Sequence, residues 1–584
     1  MIRSRTLLLL FAVVGCTVPV PEYPTPSRSA WLEQGWQPYE RAWYHHADQG
    51  TLTFGIPLEF FAALEQPEPS ASGAEMLADP AYLDRFGFIA GKTGLPVGFA
   101  GSLGVVHPST LQPWTNPGDG APFNSLGLTC AACHTGRLVY QGKELLIDGG
   151  SALLNLGQFS KALGLSMVAT EYNPFRWQRF AARVLGPEAP AAADTALRTQ
   201  FKSALERLGW QHKQDVAAQD TARHKSVEEG FGRLDALNRI GNQVFAVNTR
   251  QEKNYTTTSA PVAFPHIWGA PWFDWVQYNG SIQQPMVRNA GEALGVATPV
   301  DFSSVGPGVY RSQLQMGSLV RMEQLLAGPQ PKGRFAGLRA PAWPEDVLPP
   351  IDRALAAKGG ELYAGLCQSC HRPAPNTAQF WAPALWEANG GGHSVLKLKL
   401  IPIADIGTDP AQAVDMRDRK VTPLPGLGIT ETSFGLALGQ LVEKTINRAY
   451  DDRRPPVPQA ERDALNGSRP NGIRAEPAYK ARPLDGIWAT PPFLHNGAVP
   501  TLYALLSPPG ERPMAFHLGN RNFDPVNVGY DTAPIAGDFR LDATQRGNLN
   551  TGHAFDDGPR GNGVIGPKLT PEQRRALVEY LKTL

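Results

Sequence analysis

The chain has 584 residues, with 54 Lys or Arg against 53 Asp or Glu and a net charge of +1. That balance creates no overall field of the kind that holds nucleic acid or an anionic membrane surface, so both are set aside as partners. Gly 60 and Pro 53 make up about 19% of the sequence, below the roughly 25–30% that marks disorder, so the composition describes a folded chain with many ordered loops and room for several domains.

The first residues read as an address. Arg3 and Arg5 precede a short apolar run from Leu7 to Val14, too brief to span a bilayer, which ends at Val13-Val14-Gly15-Cys16. This resembles a bacterial lipoprotein signal, over residues 1–15, with Cys16 as the lipidated mature N-terminus; an ordinary cleaved signal with a stray cysteine is the alternative. Cysteine usage favours lipidation, because the other four of five cysteines fall into two paired motifs. Residues 16–30, rich in Pro, are expected to form an extended tether. No later stretch approaches about 18 uninterrupted apolar residues, so no transmembrane helix is expected.

Residues 28–125 are aromatic and loop-rich, with Trp31, Trp36, Trp43 and Tyr44 early. His45 and His46 are adjacent and would face different sides of a helix, which suits packing better than a metal pair. His107 precedes the first motif and is a candidate distal group.

That motif is Cys130-Ala131-Ala132-Cys133-His134, repeated as Cys367-Gln368-Ser369-Cys370-His371. C-x-x-C-H in an exported protein is the attachment sequence of a c-type haem: the two thiols bond to the porphyrin vinyl groups and the next His ligates iron. A four-cysteine zinc site would bring its pairs within about 15–20 residues, whereas these lie more than two hundred positions apart. Redox disulfides would not require a His after each pair, and no βαβ pattern surrounds either. The reading is therefore two covalently bound haem c groups held by Cys130, Cys133, Cys367 and Cys370, with His134 and His371 as proximal ligands.

Between the motifs, Leu145 to Gly150 reads as a strand and turn, with helices around 152–166 and 191–209. Residues from Phe231 to Gly295 carry the density of an active-site wall: Pro265-His266-Ile267-Trp268, then Pro271-Trp272-Phe273-Asp274-Trp275 through Tyr278-Asn279-Gly280. A tryptophan cluster is ordinarily core packing, but between two haems an indole can relay electrons. Trp275, with Trp272 behind it, is the first candidate for that role, and His266 is a candidate pocket-lining group; His107, Met167 and His266 are also the possible sixth ligands of the first iron.

The Pro-rich stretch around 328–350 is the best domain boundary. Beyond it, Gly359 to Leu366 runs into the second motif, and Thr570-Pro571-Glu572-Gln573 is a capping box opening a last helix with Leu577, Leu581 and Leu584 on one stripe. Such a helix pair clamps the haem of a small cytochrome c.

Two stretches, Lys480 to Leu502 and Trp268 to Glu292, then carry a resemblance. The chain resembles the bacterial di-haem cytochrome c peroxidase superfamily and is most similar to its branch of haem-dependent rubber oxygenases. The resemblance, over roughly residues 120–300 and 355–584, implies two facing cytochrome c-type haem domains; with the Pro-rich boundary this reads as a mainly α protein with long loops and a few short strands, its N-terminal haem domain (31–340) heavily elaborated and its C-terminal one spanning 341–584. It departs from the peroxidases after Cys370, where His553, rather than Met416 or Met514, holds the place of the distal ligand, as in the oxygenase-like branch; His495 is the less favoured alternative. The resemblance implies one electron-storing haem and one reactive haem, and the reactive iron is expected at the first motif, whose flanking sequence departs from the simple carrier fold and is followed by the Trp268–Tyr278 wall: an exported enzyme whose N-terminal haem is open to dioxygen or peroxide and whose C-terminal haem is six-coordinate and handles electrons. The organic substrate or redox partner protein stays unnamed, and no pattern supports or excludes a calcium ion between the domains. The alternative is a non-catalytic electron carrier. Either would sit in the bacterial cell envelope, held to the membrane by the lipid alone.

Overall fold

The computed structural model describes residues 18–68, 73–92, 94–101, 104–107, 111–303 and 306–584. The signal-like segment and Cys16 lie outside the described residues. Among those described, 18 α-helices account for 37% of the chain and strands for 14%, a mixed fold rather than the mainly α one expected. The strand content comes mostly from short two-stranded ladders that close loops, where Gly and Pro interrupt helices and leave backbone groups to be paired across the loop instead.

The one larger sheet positions the first motif. Thr135–Tyr140 pairs antiparallel with Lys143–Asp148, in register Thr135 to Asp148, and Arg28–Trp31 adds in parallel on the far edge. The hairpin turns on Gln141 and Gly142, both at positive φ, which matches the twist of the strands. Because Thr135 directly follows His134, the buried hairpin fixes the end of the C-x-x-C-H sequence.

That sequence forms a one-turn helix, Cys130–Cys133, capped by Thr129, whose hydroxyl accepts from the Ala131 N–H at 3.3 Å. It is entered from the short strand Gly127–Leu128 and not from a long helix. Gly98 lies flat against it: a Cβ there would come within 2.3 Å of the Ala132 backbone. Around it the helices Leu156–Tyr172, Pro174–Leu185 and Ala191–Thr221 enclose a phenylalanine-rich core of Phe60, Phe99, Phe159, Phe180 and Phe201.

The second motif has the entry the first lacks. Helix Arg353–Leu366 leads into the short helix Gln368–His371, and helix Pro571–Leu581, opened by the Thr570/Gln573 capping box, crosses it. Gly359 permits the crossing, since a Cβ there would lie 2.0 Å from the Ala576 carbonyl oxygen. Tyr363 and Tyr580 pack beside it with ring centroids 5.1 Å apart.

Residues 328–350 are no loose linker. Leu338, Trp343 and Leu348 are buried, and Trp343 meets Trp488 edge-on at 5.2 Å. One core cluster runs from Ala131, Leu146 and Trp268 on one side of this stretch to Tyr363, Trp488 and Leu577 on the other. The described part of the expected tether is likewise packed down. Val18 and Val20 are buried, and the Tyr23 hydroxyl donates to the Gly519 carbonyl at 2.6 Å while its ring lies under the Arg521 guanidinium. Two valines among the prolines give this segment apolar surface worth burying, which an extended tether lacks. Among the described residues no helix is long and apolar enough to cross a membrane.

Candidate functional site

Each C-x-x-C-H sequence is held so that its histidine offers one ring nitrogen. His134 Nδ1 lies 2.7 Å from the Pro265 carbonyl oxygen and His371 Nδ1 lies 2.7 Å from that of Arg482. A carbonyl only accepts, so Nδ1 carries the proton in both rings and Nε2 is left as a lone-pair donor, the arrangement typical of a metal-ligating imidazole. Burial holds both rings neutral: His134 is pushed down to about 4, with the Pro265 carbonyl opposing, and His371 is also lowered.

The thiols complete the donor set. Neither pair is joined as a disulfide, and burial pushes Cys130, Cys133 and Cys367 up to about 12. The first motif is braced by the Tyr44 hydroxyl, which donates to the His134 carbonyl at 2.6 Å, and by Gln49, whose amide donates to Cys130 Sγ at 2.9 Å. The second is braced by the Tyr363 hydroxyl, which donates to the Arg372 carbonyl at 2.8 Å.

Across from His371 stands His553. Their ring centroids are 6.2 Å apart. Two metal–imidazole bonds of about 2.0 Å each, plus the two ring radii, come to roughly 6 Å, so the pair is spaced to ligate one iron from opposite faces. His553 sits at a positive φ of 44°, its N–H donating to the Ile406 carbonyl at 2.8 Å. Its Nδ1 is buried without a partner, and burial, with help from His371 and Arg512, lowers the ring to about 3. Arg512 holds this loop from below, donating to the carbonyls of Asn550 at 2.6 Å, Gly552 at 2.8 Å and His553 at 3.0 Å. Met514 is exposed, and His495 stacks on Tyr479 at 4.0 Å, away from His371.

Among the described residues no second imidazole faces His134 in this way. His266 stacks on Trp268 at 4.3 Å, and its Nε2 is buried without a partner. His107 contacts Arg207 at 3.1 Å, and Met167 is sealed in the phenylalanine core. Helix Pro285–Gly295 is buried along its length except at Glu292, which accepts from Gln277 at 3.0 Å. Surrounding protein raises the Glu292 carboxyl above its ordinary value against the pull of Arg288, and the charges of both reach Cys130.

Two further observations bear on the fit of a haem. Lys480, Arg482 and Arg469 are half-buried and donate to backbone carbonyls, with no ion pair to a carboxylate among the described residues; the propionates of a porphyrin would supply a counter-charge. And among the described residues no group of three or more His, Cys, Asp or Glu is placed to hold a metal ion. Thiol pairs, Nε2 donors and unpaired cations together suit a covalent haem.

The tryptophan wall lies at the junction of the two halves. Phe273 bridges to Leu396, and Trp272 donates to the Ala327 carbonyl at 3.0 Å within a cluster that includes Phe335 and Phe380. Trp275 is half-buried, with the Arg474 guanidinium 3.9 Å from its ring centre. Neither indole touches His134 or His371. Trp268 joins the two segments that hold the histidines, its Nε1 donating to the Asp485 carbonyl at 2.8 Å.

An internal repeat follows each of the two residues that hold the proximal histidines. Ile267-Trp268-Gly269-Ala270-Pro271-Trp272-Phe273 parallels Ile487-Trp488-Ala489-Thr490-Pro491-Pro492-Phe493. Beyond it, Val276–Ile282 and Phe493–Val499 form the same seven-residue turn: Val276 and Phe493 bridge to Ile282 and Val499, Gln277 and Leu494 take φ of 67° and 64°, and Gly280 and Gly497 take 61° and 68°. Tyr278 and His495 occupy the same place in the two turns, their rings 6.2 Å apart. Self-comparison of the chain carries this signal, blurred by a three-residue insertion before the first turn.

A sequence family described as RoxA-like, cytochrome c-like matches residues 478–517, the segment that holds His371. The protein y4iJ of Sinorhizobium fredii, described as uncharacterized, is 51% identical over 580 residues, 99% of this chain and 96% of that one. The chain belongs to the y4iJ family. A second protein of that organism, y4iM, also uncharacterized, is 27% identical over 338 residues, 55% of this chain and 63% of its own. The cytochrome c-like match makes this y4iJ-family chain a cytochrome c-type haem protein, with covalent haem c as its cofactor.

Proposed function

We propose that the protein is a di-haem redox enzyme of the bacterial cell envelope, with an N-terminal haem on Cys130, Cys133 and His134 open to dioxygen or peroxide, and a C-terminal haem on Cys367, Cys370, His371 and His553. One observation carries this reading: two proximal histidines are held alike, but among the described residues only His371 has a second imidazole opposite it, at 6.2 Å. Haem iron with a free position binds small oxidants, and iron between two imidazoles stores and passes electrons. The RoxA-like match supports an oxidoreductase of oxygenase or peroxidase type.

The chain's own residues supply the rest. Pro265 and Arg482 orient the imidazoles through Nδ1, and Trp268 and Ala131 exclude water around the first centre. Glu292, exposed, hydrogen-bonded to Gln277 and near enough for its charge to reach Cys130, can accept or pass a proton beside the first centre. His266 and the Trp272–Trp275 wall remain candidates for lining the pocket and relaying electrons. An organic substrate or a partner protein would supply the electrons or receive the oxidant, and a lipid on Cys16 would hold the chain to the membrane. The deciding experiment adds carbon monoxide to the reduced protein and cyanide or peroxide to the oxidised one while the Soret band is followed. Half of the haem should respond. If none does, the protein is an electron carrier.

A further inference from the structure

Arg482 reaches the supports of both proximal histidines, with two different parts of itself. Its backbone carbonyl accepts from His371 Nδ1 at 2.7 Å. Its Nη1 donates to the carbonyl of His266 at 2.8 Å and its Nη2 points to that of Trp268 at 3.4 Å. One peptide before His266, the Pro265 carbonyl accepts from His134 Nδ1 at 2.7 Å. Three hydrogen bonds therefore run in series from one proximal imidazole to the other, with a single side chain in the middle. Trp268 closes the link in the opposite sense, its Nε1 donating to the Asp485 carbonyl and its ring lying where a Cβ on Gly486 would come within 2.8 Å. The segments around 265–268 and 482–486 are thus fastened to each other twice.

We infer that Arg482 is a positioning residue for both proximal histidines at once, so that the two haem centres are tuned through one guanidinium; this rests on the di-haem reading above. The length and angle of an Nδ1–H···O=C bond set how strongly the imidazole donates to its metal, and outer partners of this kind change metal affinity or activity about 10–100-fold when lost. Pro265 has no N–H of its own to anchor it, so the position of its carbonyl oxygen depends on what grips the next peptide. Arg482 is that grip, and its planar fork spans two carbonyls as an ammonium cannot.

The mass of the denatured wild-type protein first counts its porphyrins, and fewer than two ends the di-haem reading itself. With two present, Arg482→Lys and Arg482→Gln are compared with wild type by EPR of the oxidised protein and by spectroelectrochemical titration of each centre. At a fixed applied potential the oxidised-to-reduced ratio should shift at least threefold at both centres, with Lys failing to restore either. Trp268→Phe, which removes the reciprocal link along with part of the packing on His266, should move both centres in the same direction by less, and it serves where an Arg482 variant does not fold. A response confined to the His371 centre, no response, or full restoration by Lys overturns the inference, the last because it would reduce Arg482 to a charge.

Discussion

His553 works through placement as much as chemistry: its positive φ, its N–H bond to Ile406 and the three carbonyls gripped by Arg512 aim an unprotonated ring at His371. Replacing His553 with Ala should convert the second centre from low-spin to high-spin in the EPR and absorption spectra while both porphyrins stay attached. Elsewhere a single carboxylate shapes the acid stability. Glu65 is 2% exposed and accepts from Arg179 and Arg183. Burial raises its carboxyl, but the two guanidinium groups outweigh burial and hold it below its ordinary 4.5. A depressed carboxyl contributes stability that is complete above 4.5 and is lost as the pH falls through the folded value. Glu65→Gln should therefore cost about 2 kcal/mol at neutral pH, less than a fully buried pair because Arg179 and Arg183 are about a third open to water. It should also flatten the loss of stability in acid, as read from urea melts across pH.

The crossing of Arg353–Leu366 with Pro571–Leu581 depends on a missing side chain, and it can be tested by adding one. Gly359→Ala puts a Cβ 2.0 Å from a backbone oxygen that cannot yield, so the helices must separate; the loss should be about 3 kcal/mol or more in thermal melts. Gly209→Ala, on the exposed middle of Ala191–Thr221 with nothing within 4 Å, should instead gain up to about 1 kcal/mol. The helix pair was legible in the sequence because capping boxes and apolar stripes are written in side chains, as were the strand and turn at Leu145 to Gly150. What holds the histidines was not. Pro265 and Arg482 act through backbone carbonyls, which every residue owns, and no residue type marks the one that will be used. The tryptophan wall was visible as composition, yet its place beside Leu396 rather than beside His134 is set by a long-range bridge with no local signature. His553 could be found from the sequence only by resemblance, since a histidine at positive φ in a Gly-rich loop otherwise reads as a turn.

At the scale of the whole molecule, packing runs across the Pro-rich stretch 328–350. Trp343 lies against Trp488, Tyr530 donates to the Arg137 carbonyl at 2.9 Å, and Arg521 shares Asp84 with Arg137. Expressed as separate pieces cut after residue 340, neither half should give a cooperative melt or retain its full haem, whereas co-expression of the two should restore both; size-exclusion chromatography with absorbance at the Soret band reads this directly. The docked N-terminal strap has a further consequence. Val18 is already buried against the body, so an acyl chain on Cys16 would be separated from folded protein by at most about 7 Å of extended backbone. A protein moored that closely cannot swing. It would lie flush on the bilayer with one fixed side facing the lipid, and anything approaching the haem centres would have to arrive across the remaining, outward hemisphere.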